Sequence, residues 1–507
     1  MQSTLNKLFK GSSITFGGVI LGTAGQFVVR ALIGRELGAE GYGILTLGLA
    51  TLYFLSVFST MAMDIGVARF IPFYFARNKF SKIAATLKVA RKIVVIISTI
   101  IAIVLFLSSN YIALHLFAEP EVASILKIFA LILPFFGVQL VQLGGLRGFK
   151  RMDYLTYTDQ IARQTGLIIV ALLTLLLSLS AFWVSVGYAL VFLIVFGLTF
   201  YFLNGLLNRH IGKGNSDSGN EKTIVKNIFS FSWPLVASQQ FAESRKRLDP
   251  ILLGFLGSAQ MVGIFNAALP ISRIMQVILT SLNKIFLPSA TELYAEGEMD
   301  ELKKIYQLTS KWVFFLTLPL YLFLLIHAKE IIQIVFGQEY LSAEIPLMIL
   351  STGFFLNTIS GSFGEMLIAI GRPKVNMLAS ALALAINVIA NFIFIPIYGV
   401  SGAAIAAAFS LFSIILVGGG TLYYLLGIQP FTYGHLKGLL ASILLIIFFI
   451  LFNRGERAWF LLVVRSIVIL GTSYILFIVQ LYFYGAFEDE EKKMIKIFCL
   501  KIKERIF

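Results

Sequence analysis

Charged residues interrupt long apolar segments of this sequence, and these are the positions at which it offers chemistry. Arg30 lies within FVVRALIG, Arg273 lies within PISRIMQV, and Lys284 follows further along the chain. A charge near the centre of a bilayer costs from roughly 2.5 kcal/mol upward, so such residues face a protein interior or a water-filled cavity. Arginine binds phosphate through two parallel hydrogen bonds, and lysine binds it as a point charge. The excess of cations at depth therefore predicts a cavity for an anionic group such as a pyrophosphate.

Spacing separates the charges that can pair locally from those that cannot. Three pairs of opposite sign stand one helical turn apart, where they can neutralise each other: Asp159–Arg163, Glu243–Arg247 and Arg245–Asp249. Arg30, Arg273 and Lys284 have no opposite charge three or four residues away, so each needs a partner elsewhere. The secondary candidates are Arg69, Arg163, Glu243 and Glu365. For each of these charges a structural role, in joining helices or reaching the membrane interface, stays open.

Asp64 has two further interpretations. A repeat offset of 220 residues aligns it with Lys284, so the two opposite charges could meet between two halves of the molecule. They could equally be unrelated cavity residues. Asp64 is also a candidate site for a coupling ion, either H⁺ or Na⁺. No other cofactor, no metal site and no catalytic residue is predicted, because the chain has one cysteine, Cys499, and four scattered histidines.

Side-chain amides are frequent in the same apolar segments. They include Gln26, Gln139, Gln142, Gln160, Gln164, Gln239, Gln240, Asn266, Gln276, Asn283, Asn357, Asn387 and Asn391. Between membrane helices such amides commonly form hydrogen bonds worth about 0.6 kcal/mol each. The favoured interpretation is a structural one, and the alternative is contact with sugar hydroxyl groups.

The elements that must position these residues are membrane-spanning helices. The chain has 507 residues, of which 58% are hydrophobic and 13% charged, against about 25% charged in a soluble domain. A spanning helix needs roughly 20 apolar residues. The pattern predicts an all-α polytopic membrane protein with about 14 such helices, at 13–36, 42–75, 82–108, 121–148, 153–178, 182–207, 224–256, 259–294, 303–327, 342–370, 374–396, 399–427, 433–452 and 458–484.

An internal repeat organises these helices. Residues 27–43 (FVVRALIGRELGAEGYG) resemble residues 249–264 (DPILLGFLGSAQMVGI), which aligns Gly34 with Gly254 and Gly43 with Gly263. The repeat predicts two pseudo-symmetric six-helix lobes related by an axis along the membrane normal. The predicted divisions are an N-lobe at 1–207, a cytoplasmic linker at 208–223, a C-lobe at 224–430, helices 13 and 14 at 431–486, and a basic cytoplasmic tail at 487–507.

Charge distribution predicts the orientation and excludes other classes of protein. Lysine and arginine gather in alternate loops, so both termini are predicted on the cytoplasmic side of a cell membrane, with anionic lipids near the basic segments. The net charge of +15 follows from this loop bias, so nucleic-acid binding is excluded. The sequence has no phosphate-binding GxxxxGK[ST] loop, so transport would draw on an ion gradient, the membrane potential or the substrate gradient.

Three stretches resemble one known family. The pattern R-x-x-G-x-x-L-G-x-x-x-Y-G at residues 30–43, the segment LRGFKRMDY at 146–154, and the segments AIGRPK and NVIANFIFIPIYGVSGAAIA are similar to those of polysaccharide exporters of the multidrug/oligosaccharidyl-lipid/polysaccharide superfamily. The resemblance implies a flippase that moves lipid-linked oligosaccharide from the cytoplasmic to the outer leaflet. It also implies that two lobes rock around a cationic cavity, and that helices 13 and 14 provide a groove for the polyprenyl tail.

The resemblance carries the cavity role onto charged positions of this chain: Arg30, Asp64, Arg245, Arg247, Asp249, Arg273 and Lys284. It implies a monomer, not an enzyme, that works with glycosyltransferases or a polymerase. Two alternatives stay open. The first is a multidrug or cation antiporter of the same fold, which usually has twelve helices and an acidic cavity. The second is a membrane polysaccharide polymerase or ligase, which usually needs a large outer loop that this sequence lacks.

Overall fold

A computed structural model describes residues 2–77, 79–211, 240–451 and 459–486. Within these ranges the regular structure is helical, with no strand. The helices up to residue 211 are α1 (Gln2–Thr60), α2 (Met63–Phe75), α3 (Phe80–Tyr111), α4 (Val122–Gly148), α5 (Met152–Leu155), α6 (Arg163–Leu177) and α7 (Ala181–Ile211). Two π-helical turns, Ile112–Leu116 and Thr156–Ala162, extend α3 and join α5 to α6.

The remaining described helices begin at residue 240. They are α8 (240–256), α9 (Ala259–Ser272), α10 (Ile274–Glu296), α11 (Met299–Ile326), α12 (Ala328–Val335), α13 (Glu344–Ile359), α14 (Phe363–Ala369), α15 (Pro373–Tyr398), α16 (Val400–Ile414), α17 (Gly420–Leu426), α18 (Tyr433–Leu451) and α19 (Trp459–Phe483). A 3₁₀ turn, Gln338–Ala343, precedes α13, and a π turn, Ile415–Gly419, joins α16 to α17.

The predicted class, an all-α polytopic membrane protein, is confirmed. In the described residues eleven helical segments are long and apolar enough to cross a membrane, or up to twelve when α9 and α10, bent by 42°, count as one span. Their outer faces are apolar: Leu107 and Leu176 are 77% and 75% exposed. Such exposure is favourable against lipid tails and unfavourable against water. The count of fourteen stays a prediction, since the predicted seventh span lies partly outside the described residues.

The first long helix is divided between the predicted spans 13–36 and 42–75. Gly38 has non-helical dihedral angles, with φ of 67° and ψ of 176°, so α1 comprises two helices that meet at this residue. A positive φ is accessible to glycine because it has no Cβ atom. The predicted spans 13–36 and 42–75 therefore separate as expected at their junction.

The predicted continuity of the second span, 42–75, is wrong. Met61 and Ala62 both adopt left-handed dihedral angles, with φ of 43° and 56°, and α2 begins only at Met63. Neither residue is glycine or proline, so the local sequence carries no signal for the break. The carbonyl oxygen of Ala62 accepts hydrogen bonds from the backbone N–H groups of Ile65 and Gly66, which restarts the helix.

Contacts between Cα atoms divide the chain into two compact units. Unit 1 comprises residues 1–267 and 380–406, and unit 2 comprises residues 268–379 and 407–507. These bounds differ from the predicted lobe bounds, because residues 240–267 and 380–406 group with the N-terminal helices. The six-helix lobes stay a prediction. The predicted linker lies outside the described residues from 212 onward, and the predicted tail at 487–507 lies outside them completely.

Unit 1 is held together by apolar side chains from α2, α3, α4 and α7. Its core includes Val67, Leu87, Val141 and Leu203, each at most 1% exposed. Glycines allow the helices to approach closely: a methyl group at Gly144 would collide with the carbonyl oxygen of Asp64. Close approach between membrane helices increases van der Waals contact, which drives their association in lipid.

Unit 2 has its own core, formed by α10, α11, α14 and α17. Ala290, Leu302, Met366 and Leu422 are at most 1% exposed there. The Tyr306 hydroxyl, which is buried among them, donates a hydrogen bond of 3.1 Å to the carbonyl oxygen of Ser360. This bond satisfies a carbonyl at the end of α13, where the helical hydrogen bonding stops.

Candidate anion-binding site

Three arginines of unit 1, Arg30 on α1, Arg163 on α6 and Arg247 on α8, form what we call the arginine group. The charges of Arg30 and Arg163 both act on Arg247, so each of these two lies within electrostatic range of the Arg247 side chain. All three are partly buried. Like charges in a medium of low dielectric constant repel strongly, so this arrangement favours a bound anion.

Arg30 and Arg247 differ from Arg163, which forms a salt bridge with Asp159. Neither Arg30 nor Arg247 forms a hydrogen bond or an ion pair with any residue that the structure describes. Arg247 Cζ instead lies over the Tyr53 ring, 4.4 Å from the ring centroid.

Three tyrosines, Tyr42, Tyr53 and Tyr188, lie near the arginine group, and the sequence did not predict them as residues of the site. The charge of Arg30 acts on Tyr42 and on Tyr188, and both tyrosines are buried. Tyr53 lies on α1 and Tyr188 on α7. Tyr42 stands within the glycine-rich family pattern, which is the signal that could have identified it. Tyr53 and Tyr188 have no comparable motif, because aromatic residues are common throughout these helices.

The predicted local pairing is observed as a salt bridge at Asp159–Arg163, where Arg163 Nη1 lies 3.1 Å from Asp159 Oδ1. Glu243 forms an ion pair with Lys246, three residues away, at 2.5 Å. Its charge also acts on Arg247, as the spacing of these two residues predicted, although the described residues contain no ion pair between them.

Asp249 is the most enclosed of the predicted carboxylates. It is 3% exposed, and its Oδ1 accepts hydrogen bonds from Asn387 Nδ2 at 2.8 Å and from Asn391 Nδ2 at 3.0 Å. Both asparagines lie on α15, one turn apart and fully buried. The charge of Asp249 also acts on Arg245, as their spacing predicted.

The two asparagines therefore have a more specific role than general helix contact. Their Oδ1 atoms are buried and accept no hydrogen bond from the described residues. A carboxylate and two amide oxygens consequently share one enclosed region of unit 1. From the sequence, Asn387 and Asn391 were only two amides four residues apart in an apolar segment, and nothing connected them to Asp249.

Asp64 has a different environment. It lies in the first turn of α2 and is partly buried. The charge that acts on it, among the described residues, is that of Arg147 at the end of α4. The predicted contact between Asp64 and Lys284 stays a prediction, because Asp64 belongs to unit 1 and Lys284 to unit 2.

The remaining predicted residues lie in unit 2, except Arg69, which is exposed on α2. Arg273 stands at the bend between α9 and α10, and its Cζ lies 5.7 Å from the centroid of the Phe354 ring. Lys284 is exposed on α10. Glu365 is partly buried on α14, and the Ser362 hydroxyl just before that helix donates a hydrogen bond of 2.5 Å to Asn283 Oδ1. The cavity role of all these residues stays a prediction.

The many apolar spans define a polytopic membrane protein, and the arginine group is a candidate site for an anion. The family model for polysaccharide biosynthesis proteins matches residues 8–294, which is more than half of the chain. The MatE family model matches residues 234–393. The chain therefore belongs to the polysaccharide biosynthesis protein family, within the multidrug/oligosaccharidyl-lipid/polysaccharide exporter superfamily, and the predicted resemblance is confirmed.

The chain is also similar to individual proteins. An uncharacterised membrane protein of Methanocaldococcus jannaschii is 25% identical over 431 residues, which cover 81% of this chain and 83% of that protein. A probable low-salt glycan biosynthesis flippase of Haloferax volcanii is 24% identical over 186 residues, covering 37% of this chain and 39% of that one. The structure of the lipid II flippase MurJ in an inward closed conformation aligns with a TM-score of 0.69 and 16% identity, over 92% of this chain and 98% of that one.

Proposed function

We propose that the protein is a flippase for polyprenyl-pyrophosphate-linked oligosaccharide, which it moves from the cytoplasmic to the outer leaflet by alternating access. The observation that carries the proposal is the arginine group. Arg247 lies within range of two other arginines and has its N–H donors unoccupied by any described residue. A pyrophosphate supplies negative oxygens in pairs, which match the donor geometry of guanidinium groups.

The family and the names of related proteins support a lipid-linked glycan as the substrate. The Haloferax volcanii relative is named as a flippase in glycan biosynthesis, and MurJ as a flippase of lipid II. In this proposal the chain acts as a transporter and not as an enzyme. It works as a monomer beside glycosyltransferases or a polymerase, with both termini on the cytoplasmic side and anionic lipids near its basic segments.

Transport would be coupled to a monovalent cation at Asp249, Asn387 and Asn391. Hard cations prefer oxygen ligands, and this cluster offers a buried carboxylate with two amide oxygens. Rotation of each amide by half a turn would bring its oxygen beside the carboxylate, where a cation replaces the two N–H donors. The sequence made Asp64 a candidate site for a coupling ion, and the site proposed here for H⁺ or Na⁺ is Asp249. The sodium dependence of thermal unfolding measures this binding.

A cation or drug antiporter is the second candidate function. The MatE match over residues 234–393 favours it. The arginine group opposes it, because Arg30 and Arg247, which form no ion pair with a described residue, would repel a cationic drug. The two candidates therefore predict opposite charges for the transported molecule.

Reconstitution into proteoliposomes tests the proposed function. A fluorescent polyprenyl-pyrophosphate oligosaccharide is placed in both leaflets, and a membrane-impermeant quencher reports how fast the inner pool reaches the outer leaflet. We expect the folded protein to accelerate this movement over protein-free liposomes. Equal rates in both preparations would reject the flippase, and acceleration of a lipophilic cation alone would establish the antiporter. Protein inserted in one orientation shows the direction of movement.

A further inference from the structure

Arg247 is held against an aromatic ring of α1. Its Cζ lies over the Tyr53 ring, 4.4 Å from the centroid, which is a cation–π distance, and no described residue accepts a hydrogen bond from it. All five N–H donors of a guanidinium lie in its plane. The Tyr53 ring therefore supports the guanidinium without forming a hydrogen bond with it.

The Tyr53 ring is itself fixed by other rings of unit 1. Its centroid lies 5.5 Å from that of Phe136 on α4 and 6.5 Å from that of Phe192 on α7, both in edge-to-face geometry. Phe136 and Phe192 are 3% and 1% exposed, and their own centroids lie 5.2 Å apart. Three helices thus support one surface on which the guanidinium rests.

A second arginine of unit 1, Arg151, also lies over a tyrosine ring and provides a comparison with Arg247. Arg151 lies 3.8 Å from the centroid of the Tyr154 ring, a closer contact than that of Arg247. Its Nε and Nη2 atoms, however, donate to the two carboxylate oxygens of Asp153 at 2.9 and 2.7 Å. In that case the ring supports an arginine whose paired donors are already occupied. At Arg247 the same pair of donors has no described acceptor.

We propose that Tyr53 is a positioning residue that orients Arg247 for two-point binding of a phosphoryl group in the transported headgroup. This inference rests on the proposed function and deepens it, since it names the chemical group and how it is recognised. Two parallel N–H···O bonds require a fixed plane, and a guanidinium free to rotate would lose that geometry. A lysine at position 247 cannot make the two parallel bonds to a phosphoryl group, because its ammonium has no plane to orient.

The test compares ring removal with ring retention at position 53. Tyr53→Leu should raise the half-saturating concentration of the labelled lipid roughly tenfold, equivalent to about 1.4 kcal/mol, while the maximal rate changes less than twofold. Tyr53→Phe, which keeps the ring, should restore most of the affinity. Tyr53→Met provides a second ringless variant if Tyr53→Leu does not fold. The matched control is Tyr321→Leu, which removes a ring stacked on Phe355 at 4.1 Å in unit 2, and which should leave the affinity unchanged.

A double-mutant cycle separates positioning from general packing. Arg247→Lys should lose about as much affinity as Tyr53→Leu, and the double variant should lose little more, because both changes remove one interaction. Additive losses would overturn the proposal. So would wild-type affinity in Tyr53→Leu, or an equal loss in Tyr53→Phe and Tyr53→Leu.

A binding measurement in detergent distinguishes this inference from the flippase itself. Isothermal titration with inorganic pyrophosphate is carried out on the full-length protein and on the same variants. If the wild type moves no lipid, the flippase fails, yet weaker pyrophosphate binding by Tyr53→Leu still supports the positioning role. Equal binding by wild type and Tyr53→Leu, or no binding by either, overturns it. Competition by free pyrophosphate during transport shows whether the site recognises the phosphoryl group alone or needs the attached lipid.

Discussion

The two copies of the internal repeat, residues 27–44 and 249–264, share a backbone and differ in chemistry. Both are broken at equivalent positions: Gly38 interrupts α1, and Ser258, 220 residues later, separates α8 from α9. Their contact inside unit 1 is reciprocal. A methyl group at Gly43 would collide with the carbonyl oxygen of Ala259, and one at Gly263 would collide with that of Ala39.

The charges of the two copies do not match. Asp249, which is 3% exposed, stands where the first copy has Val29, which is 1% exposed. Pro250 stands where the first copy has Arg30. Both side chains are buried, but Asp249 is charged and Val29 is apolar. Asp249 therefore needs hydrogen-bond donors from another helix, and α15 supplies them. Close backbone contact thus constrains the small residues in both copies, while each copy carries its own chemistry.

The largest effect is expected from making the second copy resemble the first. Asp249→Val leaves the amide donors of Asn387 and Asn391 buried without their acceptor, so we expect a loss of about 3 kcal/mol of stability. Thermal unfolding in detergent measures it.

A sodium titration should raise the unfolding temperature of the wild type and not that of Asp249→Asn. Asp300→Asn, at an exposed acid, is the control and should keep the sodium response. A flat wild-type response would count against a sodium site.

A smaller effect is expected from the arginines that the two segments contribute. Arg30→Gln and Arg247→Gln should each reduce lipid movement roughly thirtyfold, about 2 kcal/mol, because each removes charged hydrogen bonds to the substrate. Lys246→Gln is the matched control, since Lys246 lies on α8 beside Arg247 but already pairs with Glu243. Transport at the wild-type rate in both arginine variants would remove the arginine group from the proposed site.

The smallest effect is expected where the copies are alike. Gly43→Ala and Gly263→Ala each introduce a methyl group against a backbone carbonyl, so each should cost about 1.5 kcal/mol of stability. Their effects should be similar in size and non-additive, because both belong to one contact. Gly205→Ala, on α7 with no atom within 4 Å of the added group, should leave the unfolding temperature unchanged or raise it. Unequal losses at Gly43 and Gly263 would break the equivalence of the two copies.

Much of the fold could be predicted from local sequence. The predicted span 121–148 is observed as Val122–Gly148, and 153–178 ends within one residue of α6 at Leu177. Apolar length and glycine position determine such bounds. The break at Met61 could not be predicted, because it involves neither glycine nor proline. The bend at Arg273 did have a local signal, since Pro270 lies three residues earlier within α9.

The candidate site was only partly predictable. The sequence identified Arg30, Arg247 and Asp249 as charges too costly to leave in lipid, because that cost depends on residue type and surrounding hydropathy alone. Helical spacing predicted that Glu243 can neutralise Arg247, whereas in the structure Glu243 forms an ion pair with Lys246. It also missed Tyr53, because a tyrosine in an aromatic-rich helix has no distinguishing pattern.

The sequence by itself determined that this is a polytopic helical membrane protein, that its chain contains a repeat, and which charges require an interior role. The tertiary structure decided which partners those charges have. Asp249 and its asparagines are separated by 138 and 142 residues, and Tyr53 and Arg247 by almost 200. Hydropathy and helical spacing are local properties that a sequence displays directly. The contact of the Arg247 guanidinium with one ring among many depends on how distant helices pack, and that is fixed only when the whole chain has folded.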